Sequence, residues 1–223
     1  MKKFLEKRLE KASADYYSGN PSMSDDEFDA LARAVNFKQV GTREGRVPHT
    51  YPMYSLQKIF QGEECPFASD DVIVTPKLDG SAISILYIEG ELERVLTRGD
   101  GKSGIDITDK FKKSRLIPQT IVIGHEVTQV TGEIVAPKSV PNSRNYAAGS
   151  LNLKDIDEFL TRDLCFVAYG VEPQFSLSFH KDMEVLSDTL GFNTVTQSDW
   201  AEFPHDGTVW RLNDNEKFRR LGH

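Results

Sequence analysis

The sequence predicts an α+β fold: a small N-terminal helical module followed by a domain of mostly antiparallel sheet. Three observations carry that prediction. Apolar residues near the N-terminus recur at steps of three and four, the helical period. From residue 72 onward the apolar runs are short, rich in β-branched residues and bounded by turn formers. The first two of these runs on either side of Glu89-Gly90-Glu91 are joined by a hairpin-type turn, which antiparallel pairing requires. A chain of 223 residues suffices for one sizeable core, or for one domain with a small appendage.

Each element has its own warrant. Leu5, Leu9, Ala12 and Tyr16 share one face of a helix over residues 3–17, which Gly19-Asn20-Pro21 terminates. Ser24 and Glu27 have capping-box spacing, and Phe28, Leu31, Ala32 and Val35 form the apolar stripe of a second helix. Residues 38–70 read as a linker and wrapping segment in which Tyr51-Pro52-Met53-Tyr54-Ser55-Leu56 packs on something. Val72–Thr75, Ala82–Ile88, Leu92–Thr97, Ile121–Ile123, Val127–Ala136, Cys165–Val171 and Thr208–Leu212 read as strands. Residues 97–104 hold three glycines and form a tight loop. His180–Leu190 reads as a helix capped by Gly191, and Asn215–Leu221 as a shorter one. The expected organisation is a helical module at 1–40, a linker at 41–70 and an α+β domain at 71–223.

Composition excludes several classes. Hydrophobic residues at 39% and charged residues at 27% exclude a wholly disordered chain. No apolar run approaches the ~18 residues of a membrane span, and the basic start MKKFLEKRLEKAS lacks the apolar core of a secretory signal. Two cysteines, Cys65 and Cys165, cannot make a disulfide framework or a zinc site of the CxxC type; a reducing, intracellular compartment is the expectation. A net charge of −7 argues against a protein that grips nucleic acid unaided.

Several short motifs carry residues suited to chemistry. Lys77-Leu78-Asp79-Gly80 puts a lysine at the end of a strand, and a deprotonated lysine is a covalent nucleophile. K-x-D-G alone occurs by chance in roughly one chain in twenty of this length, so it decides little by itself. Thr97-Arg98-Gly99-Asp100-Gly101 offers a glycine-rich turn and a guanidinium for phosphate, or an ordinary β-turn. Glu133, after Gly132, suits a ribose hydroxyl or a metal-bound water, or is a solvated strand residue. Asp206-Gly207-Thr208-Val209-Trp210-Arg211 ends in a cation that reaches phosphate or solvent. Tyr16, Tyr17, Asp25 and Asp29 suit a pocket for a flat heterocycle with a ribose, or serve as core and cap.

Taken in order, these pieces resemble the NAD-dependent DNA ligases of bacteria and their phages. YYSGNPSMSDDEFDAL resembles that family's nicotinamide-mononucleotide module, HTYPMYSL its H-x-x-P-M-L-S-L segment, and KLDG its nucleophile motif. TRGDG, GE, NSRNYAAGSL, FVAYGV and DGTVWRL follow in family order, from about Ala14 to the end of the chain. One such motif is weak, whereas eight in register are specific.

The resemblance implies a covalent nucleotidyltransferase domain, ATP-grasp-like, behind the helical module. It implies NAD and Mg²⁺, with Lys77 attacking the adenylate phosphorus and nicotinamide mononucleotide leaving. It assigns catalytic roles to Lys77, Asp79, Arg98, Glu133 and Arg211. Tyr16, Tyr17, Asp25, Asp26, Glu27, Phe28 and Asp29 would hold the nicotinamide half. Ser55, Leu56 and Thr75 would line the adenine pocket, Tyr169 would stack on the base, and Arg98 and Glu133 would contact the ribose. Mg²⁺ would sit on water near Asp79 and Glu133 with no direct ligand, and Arg144 would support the site or touch DNA.

Departures from the family pattern are equally specific. Thr75 stands in place of a glutamate, Phe28 of a tyrosine, Thr131 of an arginine, and Arg211 of a lysine. Segments resembling the family's last lysine-bearing strand, oligonucleotide-binding barrel, zinc module and helix-hairpin-helix repeats do not occur here. The domain is therefore expected to be incomplete at its C-terminal end. A second protein chain would supply that strand and the grip on nicked DNA, in the cytoplasm of a bacterium or an infected host cell. The alternative expectations are a fragment of a longer ligase, or a non-catalytic, ligase-like scaffold subunit of a replication complex.

Overall fold

The computed structural model describes residues 11–12, 46–60, 62–63, 71–122 and 125–221. The chain divides into two compact units, Met1–Val47 and Pro48–His223. The expected helical hairpin, with Tyr16, Tyr17, Asp25, Asp26, Glu27, Phe28 and Asp29, lies outside the described residues, as does Cys65. Among the described residues no helix is long and apolar enough to cross a membrane.

The elements run β1 (Arg46–Pro48), β2 (Val72–Leu78), β3 (Ser81–Ile88), β4 (Glu91–Thr97), β5 (Ser103–Ile105), α1 (Thr108–Lys113), β6 (Val127–Val135), α2 (Ser143–Leu151), α3 (Ile156–Leu160), β7 (Cys165–Glu172), α4 (Phe179–Glu184), β8 (His205–Leu212) and α5 (Asn215–Leu221). A π-helical turn, Val185–Thr189, extends α4. β4-β3-β6-β7 form a four-stranded sheet, and β2 and β8 a two-stranded one. All of these pairings are antiparallel, as the short apolar runs predict. The β3–β4 hairpin turns on Glu89 and Gly90, both at positive φ (51° and 84°), which matches the right-handed twist of the flanking strands.

Alternation along β3 explains how the larger sheet is covered. Ile83, Ile85 and Tyr87 are wholly buried in the main core with Val95, Val130, Phe111, Phe166 and Met183. Ser84 and Leu86 point to the other face, and they are buried as well. On that face runs the segment 48–53. The Tyr51 amide donates to Gln129 Oε1 at 3.0 Å, and Gln129 Nε2 returns a bond to the Tyr51 carbonyl at 2.7 Å. His49 and Met53 are buried, and their amides donate to the carbonyls of Lys102 and Gly101.

Three expectations need correction. Of the expected strand Ile121–Ile123, the described residues Ile121 and Val122 are not in a strand, and Ile123 lies outside the described residues; Ile121 is buried and its amide donates to the Gly90 carbonyl, while Thr120 bridges Glu91. The Leu92 amide also donates to the Gln119 carbonyl, so the stretch lies along the start of β4. The run at His180–Leu190 is helical but changes to π geometry at Val185. The chain also has helices at α1, α2 and α3, where none was expected.

Two glycines predict opposite responses. A Cβ at Gly132 in β6 would lie 2.4 Å from the Val167 carbonyl oxygen and from the Phe166 ring. A Cβ at Gly149 in α2 meets nothing within 4 Å. Urea unfolding should find Gly132→Ala destabilised by about 1–3 kcal/mol. It should find Gly149→Ala stabilised by about 0.5–1 kcal/mol.

Candidate active site

Lys77 is the penultimate residue of β2, a strand anchored by the buried Leu78 that follows it. The chain then turns through Asp79, whose amide donates to the Pro204 carbonyl at 2.8 Å. At Gly80 it passes so close to β6 that a Cβ would lie 2.1 Å from the Ile134 carbonyl oxygen. Only glycine fits there. Ser81 and Ala82 then pair with Ile134 and Glu133. A single tight turn thus carries the lysine to the edge of the strand that bears Glu133.

Five charged groups meet around this turn. Lys77 Nζ donates to Asp206 Oδ1 at 2.7 Å, with the two side chains 41% and 47% exposed. That bond holds the Asp206 carboxyl below the usual carboxylate range. Arg144 Nε, in the first turn of α2, lies 3.1 Å from Asp79 Oδ1 in an ion pair. Burial pushes the Glu133 carboxyl up to about 7, while Lys77, the Gly80 amide and Arg98 pull it down and Asp79 adds to the rise. Glu133 therefore sits near half-protonation at neutral pH.

Arg98 and Tyr169 lie within electrostatic reach of Glu133. Arg98 follows β4; its amide donates to the Ala82 carbonyl at 2.9 Å and its Nη2 to Ser55 Oγ at 2.6 Å. Tyr169 on β7 lies by the register irregularity opposite Thr131-Gly132. Burial, then the charge of Glu133, push its phenol well above the ordinary value, while Arg98 opposes them. Thr75, two residues before Lys77 on β2, is buried with 6% exposure, whereas Leu56 is 52% exposed. A strand-borne lysine, three carboxylates, two guanidinium groups and Tyr169 are thus gathered from six segments of chain.

Residues 43–220 match the family described as the NAD-dependent DNA ligase adenylation domain. The chain belongs to this ligase family. It is 28% identical to a DNA ligase of Campylobacter concisus over 95% of this chain and 42% of that protein. It is 32% identical to a DNA ligase of Acinetobacter baylyi over 80% of this chain and 34% of that protein. A DNA ligase of Thermomicrobium roseum is 29% identical over 98% of this chain and 42% of its own length. The chain thus spans less than half the length of these curated relatives.

Within this ligase adenylation domain, Arg211 stands apart from the other assigned residues. It pairs across the sheet with Ile73, four residues before Lys77. Its guanidinium lies 3.3 Å from the Phe218 ring centre and 4.9 Å from that of Phe179. It donates to Asn215 Oδ1 at 2.8 Å and to the Leu212 carbonyl. Burial pulls it down to about 10, against the opposing charges of Asp182 and Glu172. Those two acids, rather than Asp79 or Glu133, are its electrostatic neighbours. Conversely, sequence reasoning missed Asp206, which it treated as turn chemistry. Its aspartate-glycine pair was the available signal, but nothing in the sequence says that β8 pairs with the lysine's strand.

Glu133 sets a pH dependence. The folded carboxyl, near 7, binds its proton more tightly than the ordinary value of 4.5 for the unfolded chain. Its contribution to stability is full below that unfolded value and is lost as pH rises through about 7. Glu133→Gln removes this slope. In urea unfolding, its stability relative to the parent chain should climb between about pH 5 and about pH 8.

Proposed function

We propose that this chain is the adenylating part of an NAD-dependent DNA ligase, with Lys77 as the nucleophile. The observation that carries the reading is the Gly80 turn, which holds Lys77 on a rigid strand within electrostatic reach of Glu133, Asp79 and Asp206. The Lys77 Nζ lone pair forms a bond to the α-phosphorus of NAD. The phosphorus–oxygen bond to nicotinamide mononucleotide breaks, and a proton leaves the nitrogen. Nζ donates to Asp206 with one of the protons it carries, so Asp206 both aims the nitrogen and lies ready beside that proton. Arg98 and Glu133 face the ribose and phosphates, Tyr169 and Thr75 the base. The lysine–AMP then passes its adenylate to a 5′-phosphate at a DNA nick.

Among the described residues no group of three metal-ligating side chains occurs. Mg²⁺ does not need one, because it keeps several waters and takes one or two carboxylates together with substrate phosphate. Asp79 and Glu133 suit that role through water. The bound ion would neutralise charge developing on the phosphate.

Nick sealing in this proposal needs a second chain that adds a strand beside β2–β8 and brings the grip on DNA, in the cytoplasm of a bacterium or an infected host cell. What supports it is the two-stranded sheet itself, whose directly paired Val74 and Trp210 are 53% and 45% exposed. One observation favours a second reading, a non-catalytic scaffold subunit: Arg211 is engaged with α5 and its surroundings.

Intact mass spectrometry after incubation with NAD and Mg²⁺ separates the two. The expected result is a gain of one AMP that Lys77→Ala abolishes, while Asp206→Asn slows it by about 10- to 100-fold through misplacement of the nitrogen. No adduct, alone or with the completing chain, would leave the scaffold reading.

A further inference from the structure

The two ends of Arg98 are held by one segment of chain that the proposed chemistry does not use. Its guanidinium donates to Ser55 Oγ at 2.6 Å, and its carbonyl lies 3.0 Å from Nε2 of His49, six residues earlier on the same segment. That carbonyl also accepts from the Gly101 amide at 3.0 Å, so both of its acceptor positions are taken. His49 is itself buried, at 9% exposure, and its Nδ1 lies 2.8 Å from the hydroxyl of Ser84, which is 4% exposed in the middle of β3.

Hydrogen-bond chemistry fixes the direction of this relay. A carbonyl only accepts, so Nε2 carries the proton; in the neutral ring Nδ1 then accepts from the Ser84 hydroxyl. The ring spans the gap between a rigid central strand and the turn Arg98-Gly99-Asp100-Gly101. That turn has two glycines at positive φ, 56° and 86°. Glycine turns of this kind leave backbone freedom that something else must remove. The Met53 amide bond to the Gly101 carbonyl, at 2.8 Å, and the His49 amide bond to the Lys102 carbonyl, at 2.9 Å, seat the segment along the turn but do not touch Arg98. The Arg98 amide is tied to β3 through the Ala82 carbonyl, and the imidazole adds the tie between β3 and the Arg98 carbonyl, on which the glycine turn closes.

We propose that His49 is a positioning residue for Arg98: its ring transfers the rigidity of Ser84 on β3 to the Arg98 carbonyl and so fixes where the guanidinium stands beside Glu133. The catalytic part of this inference rests on the adenylation reading above, while the restraint on the turn does not. The side chain of glutamine can place a donor where Nε2 stands, whereas asparagine reaches only to the Nδ1 position, so the two variants differ in the one bond that matters.

The test is made on the full chain with His49→Gln, His49→Asn and His49→Ala. Amide hydrogen exchange at Gly101, whose N–H closes the turn on the Arg98 carbonyl, reads the restraint without any activity. Single-turnover formation of lysine–AMP from NAD reads its consequence, and Tm controls for folding. The expected result is faster Gly101 exchange and at least about tenfold slower adenylation in the asparagine and alanine variants, with glutamine near the parent in both at comparable Tm. Equal behaviour of the glutamine and asparagine variants, or rates that simply follow Tm, would overturn the proposal. If the parent chain forms no lysine–AMP, the adenylation reading fails by itself, and the exchange difference still decides the role of His49.

Discussion

The approach of Gly80 to the Ile134 carbonyl is the contact on which the rest of the site depends. β2 and β8 belong to a different sheet from β6, so nothing in strand pairing alone brings Lys77 towards Glu133. The turn after Lys77 does so because a glycine can pass where any side chain would strike the backbone of β6. Once the turn is seated, β3 must begin beside Ile134, and the register of Ala82 with Glu133 follows. Arg98 is then fixed by its own amide bond to Ala82. One close contact thus sets the positions of Lys77, Glu133 and Arg98 along a single line of backbone.

The ionic contacts around that line add little to stability. The Lys77–Asp206 and Arg144–Asp79 pairs have well-exposed members, and such pairs contribute about 0–1 kcal/mol in water. Their value lies in orientation. Glu133 is the opposite case. Its enclosure disfavours the charged form, and the nearby cations only partly offset that. A site assembled from weak exposed pairs and one reluctant acid rearranges at small cost when a charged ligand arrives.

Much of the sheet was legible because its strands obey local rules. β3 and β4 alternate or run apolar around a two-residue turn, and β6 and β7 are long enough for β-branched content to show. The helices that escaped notice are short. α2 buries only Ala147, Ser150 and Leu151, too few to produce a stripe, and α3 spans five residues. The side chain of Asp155 caps α3 by accepting from the Asp157 and Glu158 amides, a local signal that Asp155 and Glu158 carried in sequence. Asp206 and His49 were illegible for a different reason. Each acts across more than forty residues of chain, through pairing that only the assembled sheets reveal.

Arg211 illustrates what motif order does not convey. A lysine at that position would present a flexible point charge, whereas arginine presents a plane that stacks and a fork that binds several acceptors. Here the plane lies over Phe218 and Phe179 and the fork reaches Asn215 and the Leu212 carbonyl. Asn215 in turn donates to the buried Asp182 and to the Ser176 carbonyl. The guanidinium therefore joins β8 to α5 and α4. Moving it towards a phosphate would break two hydrogen bonds and a cation–π contact together and leave Asn215 Oδ1 without this donor. Arg98 and Arg144 carry lighter ties, to Ser55 and to Asp79, rather than to a buried network. The stacked and bonded guanidinium on β8 thus clamps α4 and α5 to the strand that pairs with β2.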